Sequence, residues 1–393
     1  MRSPGNETAL RTIAREWGRI GCLGFGGPPA HIALLRELCV ERRGWLAPDE
    51  FEHGIAATNV LPGPASTQLA IYCAWRVRGA AGALTGGLAF IVPGLVAIVL
   101  LAVLFLGDPP TWVRGAGAGA GAVIAAVAAQ AAVGLAPASW RRVASDGGAS
   151  RARWTVYLLA GGVATVVLGP WLVAVLLACG AAELGMRRAG GAAASAHFHA
   201  WPGPFALATA AVTSAGGLVA LCWTALKVGA LSYGGGFVII PLMRADAVDR
   251  FHWMTNGEFL DAVALGQVTP GPVVHTVAVV GYAAHGVGGA LLAALVAFAP
   301  SFLFVLLGAR HFDQMRDNPS ARAFLDGAGP AAIGAIAGSA IPLAAALSEP
   351  WQAAVLAGGA LLLLVARRGV VLTLVAGGVA GAVVALAGGP LPS

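Results

Sequence analysis

Charge is what this sequence has least of. Asp, Glu, Lys and Arg make up 11% of the 393 residues, against about 25% in ordinary soluble chains. So few charges leave most of a soluble surface of this size uncovered, which excludes a soluble enzyme or binding domain. Lysine is scarcer still and occurs once, at Lys227. The net charge of +6 comes from arginines in short loops. There they report orientation in a bilayer, so no nucleic-acid partner is expected. Five cysteines (Cys22, Cys39, Cys73, Cys179, Cys222) form no CxxC and no Cys/His cluster, so they read as free thiols in packed helices. No metal-ligand cluster, nucleophile–base pair or phosphate loop is visible, so no cofactor is expected. Residues 1–8 are polar and Ala9–Ile20 is amphipathic and basic, so no signal peptide is expected.

What is abundant is apolar chain. Hydrophobic residues make up 58%, in runs that each cross much or all of a ~30 Å hydrocarbon core. The runs fall at 9–35, 48–75, 80–106, 112–135, 154–168, 170–186, 205–222, 223–243, 256–282, 286–308, 327–347, 351–366 and 369–388. The expected fold is an all-α polytopic membrane protein of about thirteen transmembrane segments. A polar stretch at 187–204 separates residues 1–186 from 205–393.

The two parts repeat. Phe25-Gly26-Gly27 matches Tyr233-Gly234-Gly235, an offset of 208. At that offset Gly21–Phe90 runs against Gly229–Phe298 without a gap. Arg36 meets Arg244, Arg42 meets Arg250, Trp45 meets Trp253, Glu50-Phe51 meets Glu258-Phe259, and Pro62-Gly63-Pro64 meets Pro270-Gly271-Pro272. Internal duplication is a hallmark of secondary transporters. Arginines also set orientation. Arg76, Arg78, Arg141, Arg142, Arg151, Arg153, Arg187 and Arg188 mark one side in the first copy, while in the second the basic loops (309–322, Arg367-Arg368) sit at the opposite phase. The copies are therefore expected to be inverted, with 205–222 as an extra crossing between them.

Three features carry candidate chemistry. The first is the glycine break, Gly26 and Gly27 with Gly234 and Gly235. Glycine lets main-chain N–H groups approach a ligand, and a helix restarting after a break presents unpaired donors. The bland alternative is close helix packing through small residues. The second is the Pro-Gly-Pro break around Gly63 and Gly271. Proline removes N–H donors and interrupts a helix, and it suits the first turn of the next one. That turn carries Ser66 and Thr67 in one copy and His275 and Thr276 in the other. The third is a matched cation, Arg19 with Lys227, six residues ahead of the aromatic at each break. A charge inside a bilayer is costly and points to function; snorkelling to the headgroups is the alternative for Arg19. An oxyanion needs several such groups. Dehydrating an ion costs several kcal/mol, and one hydrogen bond to a charge returns only ~1.5–3 kcal/mol.

Glu50 and Glu258 read instead as helix starters. Thr255 and Glu258 fit a capping box flanked by Met254 and Phe259, and Pro48 stands at a first helical position. Trp45 and Trp253 read as interfacial anchors.

At these motifs the chain resembles the chromate ion transporter family in its long, two-domain form. FGGPPAHIALL and LPGPASTQLAIYCAWRVRG carry the resemblance in the first half. SYGGGFVIIPLM and the WMTNGEFLDAVALGQVTPGPVV run carry it in the second. The resemblance implies an inner-membrane transporter with two homologous, oppositely oriented halves that exports chromate, coupled to the proton motive force, and lowers its toxicity. The partners it implies are chromate, protons and the lipid bilayer. Sulfate, another tetrahedral dianion, is the natural competitor, and a homodimer is one arrangement the sequence allows. A sulfate or other anion permease is the nearest alternative reading. A membrane-embedded enzyme is the alternative of another class, and a non-transporting sensor would lack a soluble domain to receive its signal.

Overall fold

The computed structural model describes residues 8–59, 61, 63–144, 147–168, 171–189, 217–232, 237–308 and 318–392. Every element among them is helical. The first copy holds α1 (Leu10–Leu23), α2 (Pro28–Arg36) continuing as a π-helix (Glu37–Arg42), α3 (Pro48–Thr58), α4 (Ala65–Leu106), α5 (Thr111–Ala144), α6 (Gly148–Val167) and α7 (Leu172–Ala189). The second holds α8 (Leu218–Leu231), α9 (Ile239–Arg244) with a π-helix (Ala245–Arg250), and α10 (Asn256–Val268). A 3₁₀ turn (Val273–His275) then leads into α11 (Thr276–Gly308), followed by α12 (Pro319–Ala345), α13 (Pro350–Ala360) with a third π-helix (Leu361–Val365), and α14 (Val370–Leu386). α1 and α8, and the two π-helices that follow them, stand 208 residues apart at both ends. The chain from residue 190, including the expected extra crossing as far as residue 216, lies outside the described residues.

The breaks reverse the chain. α1 has 14 residues and α3 has 11, so they span about 21 and 16 Å, less than a full crossing. After each the chain comes back. A methyl added at Gly54 of α3 would lie 2.6 Å from the Tyr72 ring of α4, so α3 and the start of α4 lie side by side around Gly63. In the second copy a methyl at Gly266 would strike Thr276 Oγ1 at 1.9 Å across Gly271. The first breaks behave alike. Trp17 of α1 stacks on Trp45 beyond α2 at 5.9 Å, and Thr224 of α8 donates to Asp246 of the second π-helix at 2.8 Å. The expected segments at 9–35 and 48–75, with their counterparts, are thus present as hairpin arms.

A second reversal hides inside α4. Arg78 and Gly79 leave helical geometry, and Gly79 has φ 57°. A methyl at Gly82 would meet the Ala74 carbonyl oxygen at 2.2 Å, and one at Gly87 would meet Ile71 at 2.9 Å. The run is therefore a short arm and a long one packed antiparallel. His285 and Gly286 (φ 61°) do the same in α11. Here the repeat offset is 207, not 208: Gly79 pairs with Gly286, and the helix prolines Pro93 and Pro300 follow suit. Gly21 abuts the Phe90 carbonyl and Gly229 that of Ala297, so Phe90 is matched in space by Ala297, not Phe298. One residue has been lost after the second Pro-Gly-Pro. The 3₁₀ turn Val273–His275, which has no counterpart in α4, rises about 0.5 Å more per residue than α-helix, and over three residues recovers the length of the missing one.

The long arms pass each other antiparallel. Phe302, beyond Ala297, packs on Gly87, which precedes Phe90. Gly94, beyond Phe90, meets the Pro270 carbonyl at the head of the second copy's hairpin, at 2.2 Å from an added methyl.

The surface of these arms is lipid-like. Leu84, Leu88, Val92, Val96 and Leu100 are exposed on α4, and Val287, Leu291 and Leu295 on α11. A four-residue spacing puts each series on one helix face. A stripe of that length facing water would aggregate; facing acyl chains it is solvated. Four runs are long and apolar enough to cross a membrane: Ala65–Leu106, Thr111–Val143, Val273–Gly308 and Pro319–Ala345. Around the hairpins, glycine does what the packing alternative says. Gly115 and Gly119 of α5 press on Gly381 and Gly377 of α14, with carbonyls 2.2–2.5 Å from added methyls, a small-residue helix contact. The chain is a polytopic all-α membrane protein of two repeated parts with broken helices.

Candidate functional site

Each hairpin is built so that its tip is the least helical and most glycine- and proline-rich part of the repeat. Gly63 and Gly271 take φ 116° and 94°, a region that costs other residues about 1–2 kcal/mol. Pro64 in the first copy, and Pro270 and Pro272 in the second, restrict the backbone beside these glycines.

The tips converge, and they do so across the copies. Gly271 N donates to Gly24 O at 3.0 Å, joining the second Pro-Gly-Pro to the first glycine break. Gly63 stands against Gly229 O, 3.2 Å from an added methyl, joining the first Pro-Gly-Pro to the end of α8. Within the first copy, His31 Nε2 contacts Gly24 O at 2.9 Å and His31 Nδ1 contacts Ser66 Oγ at 3.2 Å. His31 therefore clamps one tip to the other. Trp17 Nε1 donates to Ala70 O at 2.8 Å and fixes the two hairpins further out.

The tip residues differ in what they offer an anion. Gly26 and Gly27 have open space beside them, with nothing closer than Ala30 Cβ at 3.7 Å from an added methyl. The helix after them offers less than expected. Pro28 and Pro29 occupy its first positions and carry no N–H, while Ala30 N and His31 N both bond to Gly27 O. The donors at this break are thus the glycine amides and not a helix end. The first Pro-Gly-Pro is better supplied. α4 opens at Ala65, and Thr67 N and Gln68 N make its first internal bonds to Pro64 O at 3.0 Å each, so the amides of Ala65 and Ser66 head the helix. Thr67 is fully buried and its hydroxyl has no partner among the described residues.

In the second copy Thr276 Oγ1 is already committed to Val273 O at 2.8 Å. His275 is fully buried, and its ring packs edge-on to Phe298 at 5.2 Å. Neither ring nitrogen makes a hydrogen bond of ordinary geometry; the Ile91 carbonyl of α4 is its polar neighbour. His31 stands in the same relation to Phe90, at 5.1 Å. Gly234 and Gly235 lie outside the described residues.

The matched cations are not where an anion would find them free. Lys227 is 5% exposed and is ion-paired with Asp246, which is fully buried and also takes the Thr224 hydroxyl. Lys227, expected to balance the charge of a bound anion, is thus already balanced within its own hairpin. Arg19 is exposed. It lines a small cleft between α1 and α2 with Glu16, Glu37 and Arg42. The helix-starter reading holds for Glu258, which forms a full capping box with Thr255. Glu50, at the third helical position with Pro48 at the first, pairs with Arg76 at the base of its hairpin.

Two residues at the centre of this arrangement were not singled out from sequence, His31 and Asp246. His31 stands four residues after Gly27, so its place beside the break was readable. Asp246 becomes readable once the glycine break is taken as a reversal, since 227 and 246 then face each other.

The chain matches the family model described as chromate transporter over residues 11–184 and 219–382. It is similar to a chromate transport protein of Cupriavidus metallidurans, with 31% identity over 85% of this chain and 82% of the relative. A probable chromate transport protein of Synechococcus elongatus is 31% identical over 85% of this chain and 84% of its own. A chromate transport protein of Pseudomonas aeruginosa is 30% identical over 84% and 80%. No solved structure matches the chain.

Proposed function

Since the chain belongs to the chromate transporter family, we propose that it carries chromate outward across the bacterial inner membrane, driven by the proton motive force, and so confers chromate resistance. The observation that supports this reading best is the joining of hairpin tips from both copies, Gly271 N to Gly24 O and Gly63 to Gly229 O. Irregular backbone at membrane depth is tolerated where it is buried or lines a path. Here it gathers at one place, with amides of Gly26, Gly27, Ala65 and Ser66 and the hydroxyl of Thr67 as donors, the Ser66 hydroxyl being held by His31. Gly63, Gly271, His275 and Thr276 shape the opposite side.

In this proposal the copies lie inverted in the bilayer, so that one pair of hairpins enters from each face and the tips meet near the middle. The antiparallel long arms of α4 and α11 favour that arrangement. So do the arginines. Arg141, Arg142, Arg151, Arg187 and Arg188 in the first copy and Arg367 and Arg368 in the second fall on one face under it. A tetrahedral dianion passing the tips exchanges water for oriented dipoles, the kind of site that substitutes for hydration without a fixed ion. Chromate is favoured over sulfate because the relatives are named for chromate; the tip geometry by itself does not distinguish the two anions.

The test is accumulation of radiolabelled chromate in everted membrane vesicles energised by respiration, with sulfate as competitor. Accumulation that collapses with a protonophore is expected. Vesicles that take up no chromate above those lacking the protein would overturn export, and loss of uptake under equimolar sulfate would make it a general oxyanion permease.

A further inference from the structure

Beside the first Pro-Gly-Pro tip lies a cavity of about 270 Å³. Asn59, Gly63 and Ala65 line it from the tip and the head of α4, Ser139 and Arg142 from α5, and Gly329 from α12. Much of the remaining wall is apolar, with Leu61, Leu135, Ile333 and Ile336. Arg142 is the only charged side chain among the described lining residues, and no carboxylate is among them. A water's share of liquid volume is about 30 Å³, so the space accommodates an oxyanion with part of its hydration shell. The Arg142 side chain is 48% exposed, so the cavity is open to an anion arriving from water.

We propose that this cavity is the loading site for a tetrahedral oxyanion, and that Arg142 receives it there before it reaches the tips. The proposal rests on the transport reading above and adds a site and a cation to it. Four observations carry it. Arg142 has a partner it can leave: its contact to Asp326 is 3.5 Å, while Arg187 holds the same carboxylate at 3.0 Å. When Arg142 turns to an anion, Asp326 therefore stays paired. The carboxylates nearby do not depend on Arg142. Arg187 also binds Glu183 at 2.8 Å, and Arg153 binds Glu183 at 2.7 Å. The Ser139 hydroxyl accepts the Trp154 indole N–H at 3.0 Å, which leaves its own proton to donate. Finally, the cavity ends on Gly63 and Ala65, so an anion leaving Arg142 next meets the amides that head α4. A guanidinium is the cation suited to this role, since its planar fork engages two oxyanion oxygens at once.

A purely structural ion pair and a loading site predict different outcomes. Equilibrium binding of radiolabelled chromate to the purified full-length protein, and its accumulation in everted vesicles, are measured for the wild type, Arg142→Gln, Arg142→Lys and Asp326→Asn. The expected result is at least a tenfold rise in the half-saturating chromate concentration for Arg142→Gln, with partial recovery in Arg142→Lys. Asp326→Asn, which removes the anion's competitor, is expected to lower that concentration. An unchanged half-saturating concentration in Arg142→Gln, or equal weakening by Arg142→Gln and Asp326→Asn, overturns the proposal. Should Asp326→Asn fail to reach the membrane, the Gln and Lys variants decide alone. Wild-type binding without accumulation would defeat the transport reading while leaving the site; accumulation indifferent to Arg142 would defeat the site while leaving transport.

Discussion

The first hairpins of the two copies solve one problem in opposite ways. Both join their arms with an ion pair. In the second copy the base, Lys227, is on the first helix and the acid, Asp246, is on the π-helix; both are buried. In the first copy the acid, Glu16, is on the first helix and the base, Arg43, follows the π-helix, with the Arg43 side chain 36% exposed. At the repeat offset Glu16 corresponds to Thr224, Arg19 to Lys227 and Leu38 to Asp246. The duplicated fold has therefore kept the tether and not the residues. Both acids are buried; what differs is the base, since Arg43 reaches solvent and Lys227 does not. A charge left partly exposed is rehydrated, so losing its partner costs about 0–1 kcal/mol, whereas removing one member of a fully buried pair strands a charge and costs about 3–5 kcal/mol.

The comparison can be broken in order of effect. Asp246→Ala is expected to destabilise the protein most, by about 3–5 kcal/mol, read as a fall in unfolding temperature in detergent. A change as small as that of Glu16→Ala would mean that the second pair is solvated and the contrast false. Reversing the pair, with Lys227→Asp and Asp246→Lys together, gives the second copy the polarity of the first. It is expected to recover much of what either single change loses; no recovery would show that the geometry, and not the pairing, is what matters. Gly271→Ala places a side chain at φ 94° beside His275 and is expected to cost about 1–3 kcal/mol while abolishing chromate accumulation. Full transport in that variant would remove the second tip from the site. Glu16→Ala is expected to cost at most about 1 kcal/mol. The inversion itself is sharpened by cysteines at Ala80 and Val287, one at each α4- and α11-type reversal. Opposite-side labelling by an impermeant maleimide is expected, and same-side labelling would sink it.

Much of this was legible in the sequence because breaks are local. Glycine and proline announce where a helix stops, and the repeat offset matched them in pairs. Whether the chain then bends or turns back is not local, since the same Gly-Gly or Pro-Gly-Pro serves both. That is why the sequence matches Lys227 with Arg19 and not with Asp246: its partner lies across a reversal. Arg142 read only as an orientation marker, because nothing near it in sequence mentions Gly63. The lost residue in α11 escaped for a different reason. Phe90 and Phe298 are alike in type, so the 208 offset looked intact where the backbone had already shifted to 207.

That single missing residue has a consequence for any working cycle. Two identical halves related by a two-fold axis would make the inward-open and outward-open forms interchange by rotation, equal in energy. Here one arm runs through residues 65–77 before its reversal and the other through 273–284, beginning with a 3₁₀ turn. Under the proposed inversion the halves cannot trade places without changing their packing, and the two open forms are then not equal in energy.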